Sequence, residues 1–303
     1  MKVHVGVKSD PIESRYSFDW LFGLMADCGV SRMQLGSFIG LYLVEDGWLR
    51  DLRRRAERRG IAIASVFTTH REMSGLFTGE PALERASRLA WERLIRVAAL
   101  VGAAAAGGSC GSVPRDRPDE KGPGLARCLG HLKELVRLAR GAGLAALTVE
   151  PMSSLFEPPT TPEELARITG VMDAWHARDV EGTVPVCYCG DISHGLADAE
   201  RRVVHDNWSL FELEIPHLWE FHFKNTDACF DSTFGFSPEE RRRGIVDLAR
   251  LKGIIDRGAG RFPTPEITGY LEIGGPKVGR DYSDPKLGPV LAESLAAIRA
   301  VFG

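Results

Sequence analysis

Four side chains able to hold or move a proton stand at matching places in four short apolar runs. Glu150 sits late in LTVEP (147–151), Asp191 closes VCYCGD (186–191), His222 lies near the end of LWEFHFK (218–224), and Glu272 interrupts GYLEIGG (269–275) just before two glycines. A carboxylate in a segment otherwise built for burial is destabilising unless it is paired, hydrogen-bonded or bound to a metal. Taken alone, each carboxylate reads more often as a salt-bridge partner than as a ligand, and His222 as a satisfied core histidine. Together, three carboxylates and an imidazole form an oxygen-rich, mostly hard ligand set. That set suits Mn²⁺ or Mg²⁺, with Co²⁺ also compatible, better than a structural zinc site built on thiolates. Three crowded carboxylates would repel one another strongly, and a divalent cation supplies the counter-charge.

Four protein ligands on an octahedral ion leave about two positions for water or a chelating substrate. The adjacent oxygens of a hydroxy-ketone match such a pair of positions. The ion would polarise the carbonyl and stabilise the enediolate formed when a neighbouring C–H proton leaves, and a glutamate on each side of the sugar would act as base and acid.

The elements that must position these groups alternate along the whole chain. Strand candidates are VHVGV (3–7), RMQLG (32–36), IAIASVF (61–67), AAAAGG (103–108), LAALTVE (144–150), VPVCYC (184–189), LWEFHFK (218–224) and TGYLEIG (268–274). AAAAGG has the poorest strand propensity and is assigned mainly from its place after a helix. Between them lie amphipathic helical patterns, among them 49–60, 82–102, 125–143 and 161–175, with later segments near 238–257 and 287–302. Gly102 and Gly143 stand where helices stop, and Thr161-Pro162 with Glu164 forms a helix start. Eight βα units without a compositional break predict one (β/α)₈ TIM-barrel domain over residues 1–303. A doubly wound sheet would favour a glycine-rich fingerprint after its first strand, where this chain has KSDPIES. In a barrel the C-terminal strand ends share one mouth, so Glu150, Asp191, His222 and Glu272 should converge there.

Composition narrows the class further. The chain has 303 residues, a net charge of −3 and 44% hydrophobic residues, which allows a large core and shows no global basic bias toward nucleic acid. No apolar run approaches the roughly 20 residues that cross a bilayer, and the start MKVHVGVKSDP is too polar for a signal peptide. A soluble, cytoplasmic protein is expected. Its six cysteines include no CxxC pair and are expected to be reduced. The basic stretches LRDLRRRAERRG (49–60) and ERRRG (240–244) read as solvated helix faces.

The order LTVEPM, CGDISHG, FHFKNTD, YLEIGG resembles the xylose isomerase-like TIM-barrel superfamily, and within it the D-tagatose 3-epimerase branch of ketose epimerases and isomerases. The resemblance follows strand order over nearly the full chain, with its motifs in the second half. It implies that Glu150 and Glu272 both bind the metal, Mn²⁺ or a similar ion, and exchange the substrate proton. Asp191 and His222 are then the remaining ligands, and His194 of the DxxH spacing contacts substrate oxygens. It also implies a homodimer or tetramer. The branch carries a substrate-binding arginine six residues after the strand-seven histidine. Here that slot is Ala228, and Lys224 or another loop residue would substitute.

Other mouth loops suggest the substrate. TTHREMSG places His70 and Arg71 after strand three, and GGPKVGRDYSD places Lys277 and Arg280 after strand eight as a possible phosphate cradle. The expected function is a ketose or ketose-phosphate 3-epimerase acting on a short sugar. An aldose–ketose isomerase or an inosose-type dehydratase would use the same centre. An abasic-site endonuclease would need more histidines and a basic groove, and a sugar-binding protein without chemistry would not need both glutamates.

Overall fold

The computed structural model describes residues 1–36, 38–68 and 71–303, excluding the side chains of Arg71, Glu72 and Ser74. Eight parallel strands close on themselves in chain order: β1 (Lys2–Lys8), β2 (Arg32–Gly36), β3 (Ala62–Thr68), β4 (Ala105–Ser109), β5 (Ala146–Glu150), β6 (Val186–Asp191), β7 (Leu218–Phe223) and β8 (Glu266–Leu271). β8 returns to β1, with Gly6 opposite Tyr270 and Val7 opposite Leu271. This is the (β/α)₈ barrel that the alternation predicts.

Strand residues alternate between two layers. Val7, Leu35, Val149, Phe221, Phe223 and Leu271 face the helices and join the continuous apolar core. Their neighbours in sequence face the lumen, which is polar: Lys8, Gln34, Ser65, Thr148, Glu220 and His222 are all buried there. Contacts between strands that are not adjacent establish this orientation. Ser65 on β3 reaches Glu220 on β7, and Gln34 on β2 reaches His222 on β7.

β4 reads AAGGS because its neighbours leave no room for larger side chains. A Cβ on Gly107 would stand 1.9 Å from Thr148 Oγ1 and 2.4 Å from Thr148 O, and one on Gly108 would stand 2.6 Å from Thr68 Cγ2. Close packing of neighbouring strands therefore overrides poor intrinsic propensity.

The helices are α1 (Phe18–Asp27), α2 (Asp46–Glu57), α3 (Pro81–Val101), α4 (Lys121–Gly141), α5 (Pro162–His176), α6 (Asn207–Glu214), α7 (Pro238–Arg243), α8 (Leu248–Arg257) and α9 (Leu287–Phe302). Gly102 ends α3 at φ 77°, a conformation that glycine adopts without Cβ strain. Thr161 and Glu164 form a reciprocal capping box on α5. Two details differ from the sequence reading. The segment near 238–257 is two helices, because Gly244 takes an extended backbone and Asp247 starts α8 by accepting from the Arg250 amide. α6 has too few turns for a readable apolar period, yet it buries Trp208, Leu210 and Phe211.

Short antiparallel pairs follow β6 and β7, formed by Leu196–Ala197 with Val203–His205 and by Asn225–Thr226 with Thr233–Phe234. All six cysteines are free thiols. No helix among the described residues is long and apolar enough to cross a membrane.

Candidate metal centre

Strand register brings the four sequence-selected groups to one level. Ser109 on β4 pairs with Glu150 on β5, and Asp191 on β6 pairs with His222 on β7. Leu271 pairs with Phe223, and one residue later the Glu272 amide donates to Phe223 O at 3.1 Å. Glu272 thus lies just past β8, still bonded to β7. One ligand atom from each of Glu150, Asp191, His222 and Glu272 falls within 4.8 Å of the others, and all four residues are buried. His222 Nδ1 is the hub, 2.8 Å from Glu272 Oε2, 3.0 Å from Glu150 Oε1 and 3.8 Å from Asp191 Oδ2.

Three carboxylates this close need positive charge beside them. Lys224 Nζ bridges Asp191 Oδ2 at 3.1 Å and Glu272 Oε2 at 3.0 Å. Lys8, fully buried at the end of β1, contacts Glu272 Oε1 at 2.6 Å and Asp10 Oδ2 at 3.0 Å. Burial by itself raises the Asp191 and Glu272 carboxyls, but the surrounding cations reverse this. Asp191 is held below its ordinary range by His194, Lys224 and His222. Glu272 is held well below its own by His222, Lys224 and Lys8. The same pairing acts on the bases. Burial would depress His222 and Lys224, yet Cys189, Glu272 and Asp191 lift the imidazole, and Asp191, Glu272 and Glu150 lift the ammonium.

The donor set fits a divalent cation. Carboxylate oxygens predominate, one imidazole nitrogen completes the group, and no thiolate is among them. Glu272 presents Oε2 to the centre because Lys8 occupies Oε1.

Above the centre opens a cavity of about 590 Å³, lined in part by Ser109, Arg115, Glu150, Ser153, His194 and Lys224. His194 donates from Nδ1 to Pro151 O at 2.7 Å, and its Nε2 stands 3.4 Å from Asp191 Oδ2. His194 and Lys224 therefore stand beside the four clustered groups. Lys277 and Arg280 are exposed on the loop after β8, outside this lining. In that loop the Gly279 and Arg280 amides both donate to Asp284 Oδ2, at 3.0 and 3.1 Å, and the Arg280 side chain donates to Gly279 O. His70 and the Arg71 side chain lie outside the described residues.

Five neighbours escaped the sequence reading: Lys8, Gln34, Ser65, Arg115 and Glu220. Glu220 and Lys224 flank His222 at a spacing of two, so the alternation that turns His222 inward carries both with it. Gln34, a polar residue inside RMQLG, was the other legible signal. Arg115 carried none, being one arginine in a loop.

No protein-family profile matches the sequence, and no curated protein matches it. Solved structures do match over nearly the whole chain. A candidate xylose isomerase from Rhodospirillum rubrum superposes with a TM-score of 0.77 at 20% identity, covering 99% of each chain. A D-psicose 3-epimerase from Clostridium cellulolyticum, crystallised with D-tagatose, gives 0.72 at 15% identity, covering 100% of this chain and 99% of that one. The 3-keto-D-glucoside 4-epimerase of E. coli gives 0.62 at 12% identity, with 99% and 100% covered. At these identities the likeness speaks for the fold. The chain has the (β/α)₈ barrel fold of these structures, with four residues at its C-terminal mouth that could hold a divalent cation.

Proposed function

We propose that the protein is a divalent-metal-dependent ketose or ketose-phosphate 3-epimerase that removes and returns a carbon-bound proton through an enediolate. The observation that carries this reading is the placing of two glutamates around one point. Glu150 comes from β5 and Glu272 from the end of β8, with β6 and β7 between them, yet both reach His222 Nδ1 within 3.0 Å. Inversion at carbon needs one group to take a proton from one face and another to deliver one to the opposite face, and two carboxylates on separate sides of a site meet that need.

Glu150, Asp191, His222 and Glu272 would hold a divalent cation, Mn²⁺ in this proposal with Mg²⁺ or Co²⁺ as substitutes, which would supply Lewis-acid polarisation of a carbonyl. Lys8 and Lys224 hold Glu272 from two sides, which orients the carboxylate that would act as base. His194 is anchored through Nδ1, and its Nε2, 3.4 Å from Asp191 Oδ2, would be the atom to meet a sugar hydroxyl in the cavity. Ser109 and Ser153 add hydroxyl partners. Arg115 lies over the Phe156 ring at 4.8 Å, makes no ion pair with a described residue, and takes the part of the arginine that is absent at Ala228. It is a better proposed anchor for a substrate phosphate than Lys277 and Arg280, whose loop is closed on itself. His70 and Arg71 remain proposed rim contacts.

The test is a panel of free and phosphorylated ketoses incubated with Mn²⁺ in D₂O and followed by NMR. Deuterium at C3 with the 3-epimer as product supports the reading. An aldose product identifies the isomerase alternative, and loss of water identifies a dehydratase. Glu150→Gln and Glu272→Gln should each lower turnover by about 10²–10⁴-fold while the fold persists. Full activity in either variant would remove that residue from proton transfer.

A further inference from the structure

A neutral imidazole carries one N–H and one lone pair, and only the lone-pair nitrogen can bind a metal. His222 aims Nδ1 at the carboxylates, so its usefulness as a ligand depends on what holds the proton at Nε2. His222 Nε2 lies 2.8 Å from Gln34 Oε1 on β2, across the lumen. The other near group is the Cys189 sulfur at 3.4 Å, a weak hydrogen-bonding partner. The Phe67 ring meets the imidazole edge-on at 5.2 Å between centroids and limits its rotation.

An amide can present either its oxygen or its NH₂, and a buried chain of hydrogen bonds decides which. Ser65 Oγ donates to Glu220 Oε1 at 2.9 Å, and Thr148 Oγ1 donates to the same oxygen at 3.0 Å. Having given its proton to a carboxylate, Ser65 can only accept from Gln34. Gln34 Nε2 faces Ser65 Oγ at 3.5 Å and the Cys189 sulfur at 3.9 Å. Its oxygen is therefore the atom that meets His222. Gln34, Ser65, Thr148, Glu220 and His222 are each no more than 1% exposed, so water does not compete for these bonds.

We infer that Gln34 is a positioning residue that makes His222 an Nδ1 metal ligand, its own orientation set by the Glu220–Ser65 pair. This rests on the metal reading above. The oxygen of Gln34 holds the Nε2 proton, which leaves the Nδ1 lone pair directed at the centre. Hydrogen bonds to the far nitrogen of a ligating histidine typically change metal affinity about 10–100-fold when removed.

The experiment is calorimetric titration of Mn²⁺ into the purified, chelator-treated full chain. Gln34→Leu, close in size and without an acceptor, should bind Mn²⁺ about 10–100-fold more weakly than wild type. Gln34→Glu keeps an acceptor oxygen and should stay within about threefold of wild type on the same principle. A second measurement needs no variant. In the Cd²⁺-loaded wild type, ¹H–¹⁵N correlation spectra should show the His222 proton on Nε2 and none on Nδ1. Wild-type-like Mn²⁺ affinity in folded Gln34→Leu overturns the inference alone, as does a proton found on Nδ1. Failure of the wild type to bind Mn²⁺ overturns the metal reading and this inference with it. If Gln34→Leu does not fold, Gln34→Glu and the Cd²⁺ spectra still decide.

Discussion

Lys8 offers the sharpest energetic test of the charge balance. Its side chain is completely buried, with Glu272 Oε1 at 2.6 Å and Asp10 Oδ2 at 3.0 Å. Burial by itself would lower the ammonium's pKa, but Asp10, Glu272 and Glu150 outweigh it and hold the group charged. Replacing it by methionine keeps the apolar stem and removes the charge. Glu272 retains Lys224 and His222, whereas Asp10 loses its ion-pair partner, and Asp10 Oδ1 already has none. Removing one member of a buried ion pair typically destabilises by about 3–5 kcal/mol. An unfolding entropy of about 2.1 cal/mol/K per residue gives about 0.64 kcal/mol/K for a chain of 303 residues. Lys8→Met should therefore lower Tm by about 5–8 °C in chelator-treated protein, read by differential scanning calorimetry. Adding Asp10→Asn removes the orphaned charge and should recover part of the loss, a coupling of about 0.5–3 kcal/mol. A Tm within 1 °C of wild type, on the order of the 0.64 kcal/mol per degree above, would refute the argument that Lys8 carries this balance.

Three further outcomes follow from named contacts. Mn²⁺ must displace a proton from His222, whose pKa is lifted well above the ordinary imidazole value, so affinity should rise with pH by about tenfold per unit below that pKa; a dissociation constant flat between about pH 6 and 8 contradicts this. Glu214 on α6 is buried, its Oε2 lacks a hydrogen-bond partner, and burial together with Asp191 and Glu150 pushes its pKa well up. A raised carboxyl contributes stability below the unfolded value near pH 4 and loses it as pH climbs toward the folded one. The Tm advantage of Glu214→Gln over wild type should accordingly grow from about pH 4 to 8, at about 1.4 kcal/mol for each tenfold in proton affinity, and a pH-independent difference would count against it. Gly107→Ala drives a Cβ into Thr148 on the next strand, and overpacking of this kind should lower Tm by about 2–5 °C in thermal melts.

Much of the mouth was legible before any coordinates. Alternation with a period of two, read beside the βα order, places Glu150, Asp191, His222 and Glu272 at corresponding strand ends, because a parallel barrel leaves its C-terminal strand ends on one side. The helix stop at Gly102 and the cap at Thr161 are local and were equally readable. α6 and the break at Gly244 were missed because a two-turn helix has too few residues to show a period.

The rest depends on closure. Which inward side chains touch is decided across the lumen, between strands far apart in sequence. Gln34 meets His222 over 188 positions, Ser65 meets Glu220 over 155, and Lys8 meets Glu272 over 264. Sequence pattern determined that Glu150, Asp191, His222 and Glu272 reach one barrel mouth and suit a metal as a set of ligands. Only the tertiary structure selected Lys8 and Lys224 as counter-charges, Gln34 as the partner of Nε2 and Arg115 as a guanidinium in the cavity's lining. The physical reason is that one-dimensional periodicity specifies a face, while hydrogen bonds and ion pairs need atoms within about 3 Å, a separation that barrel closure and strand register alone define.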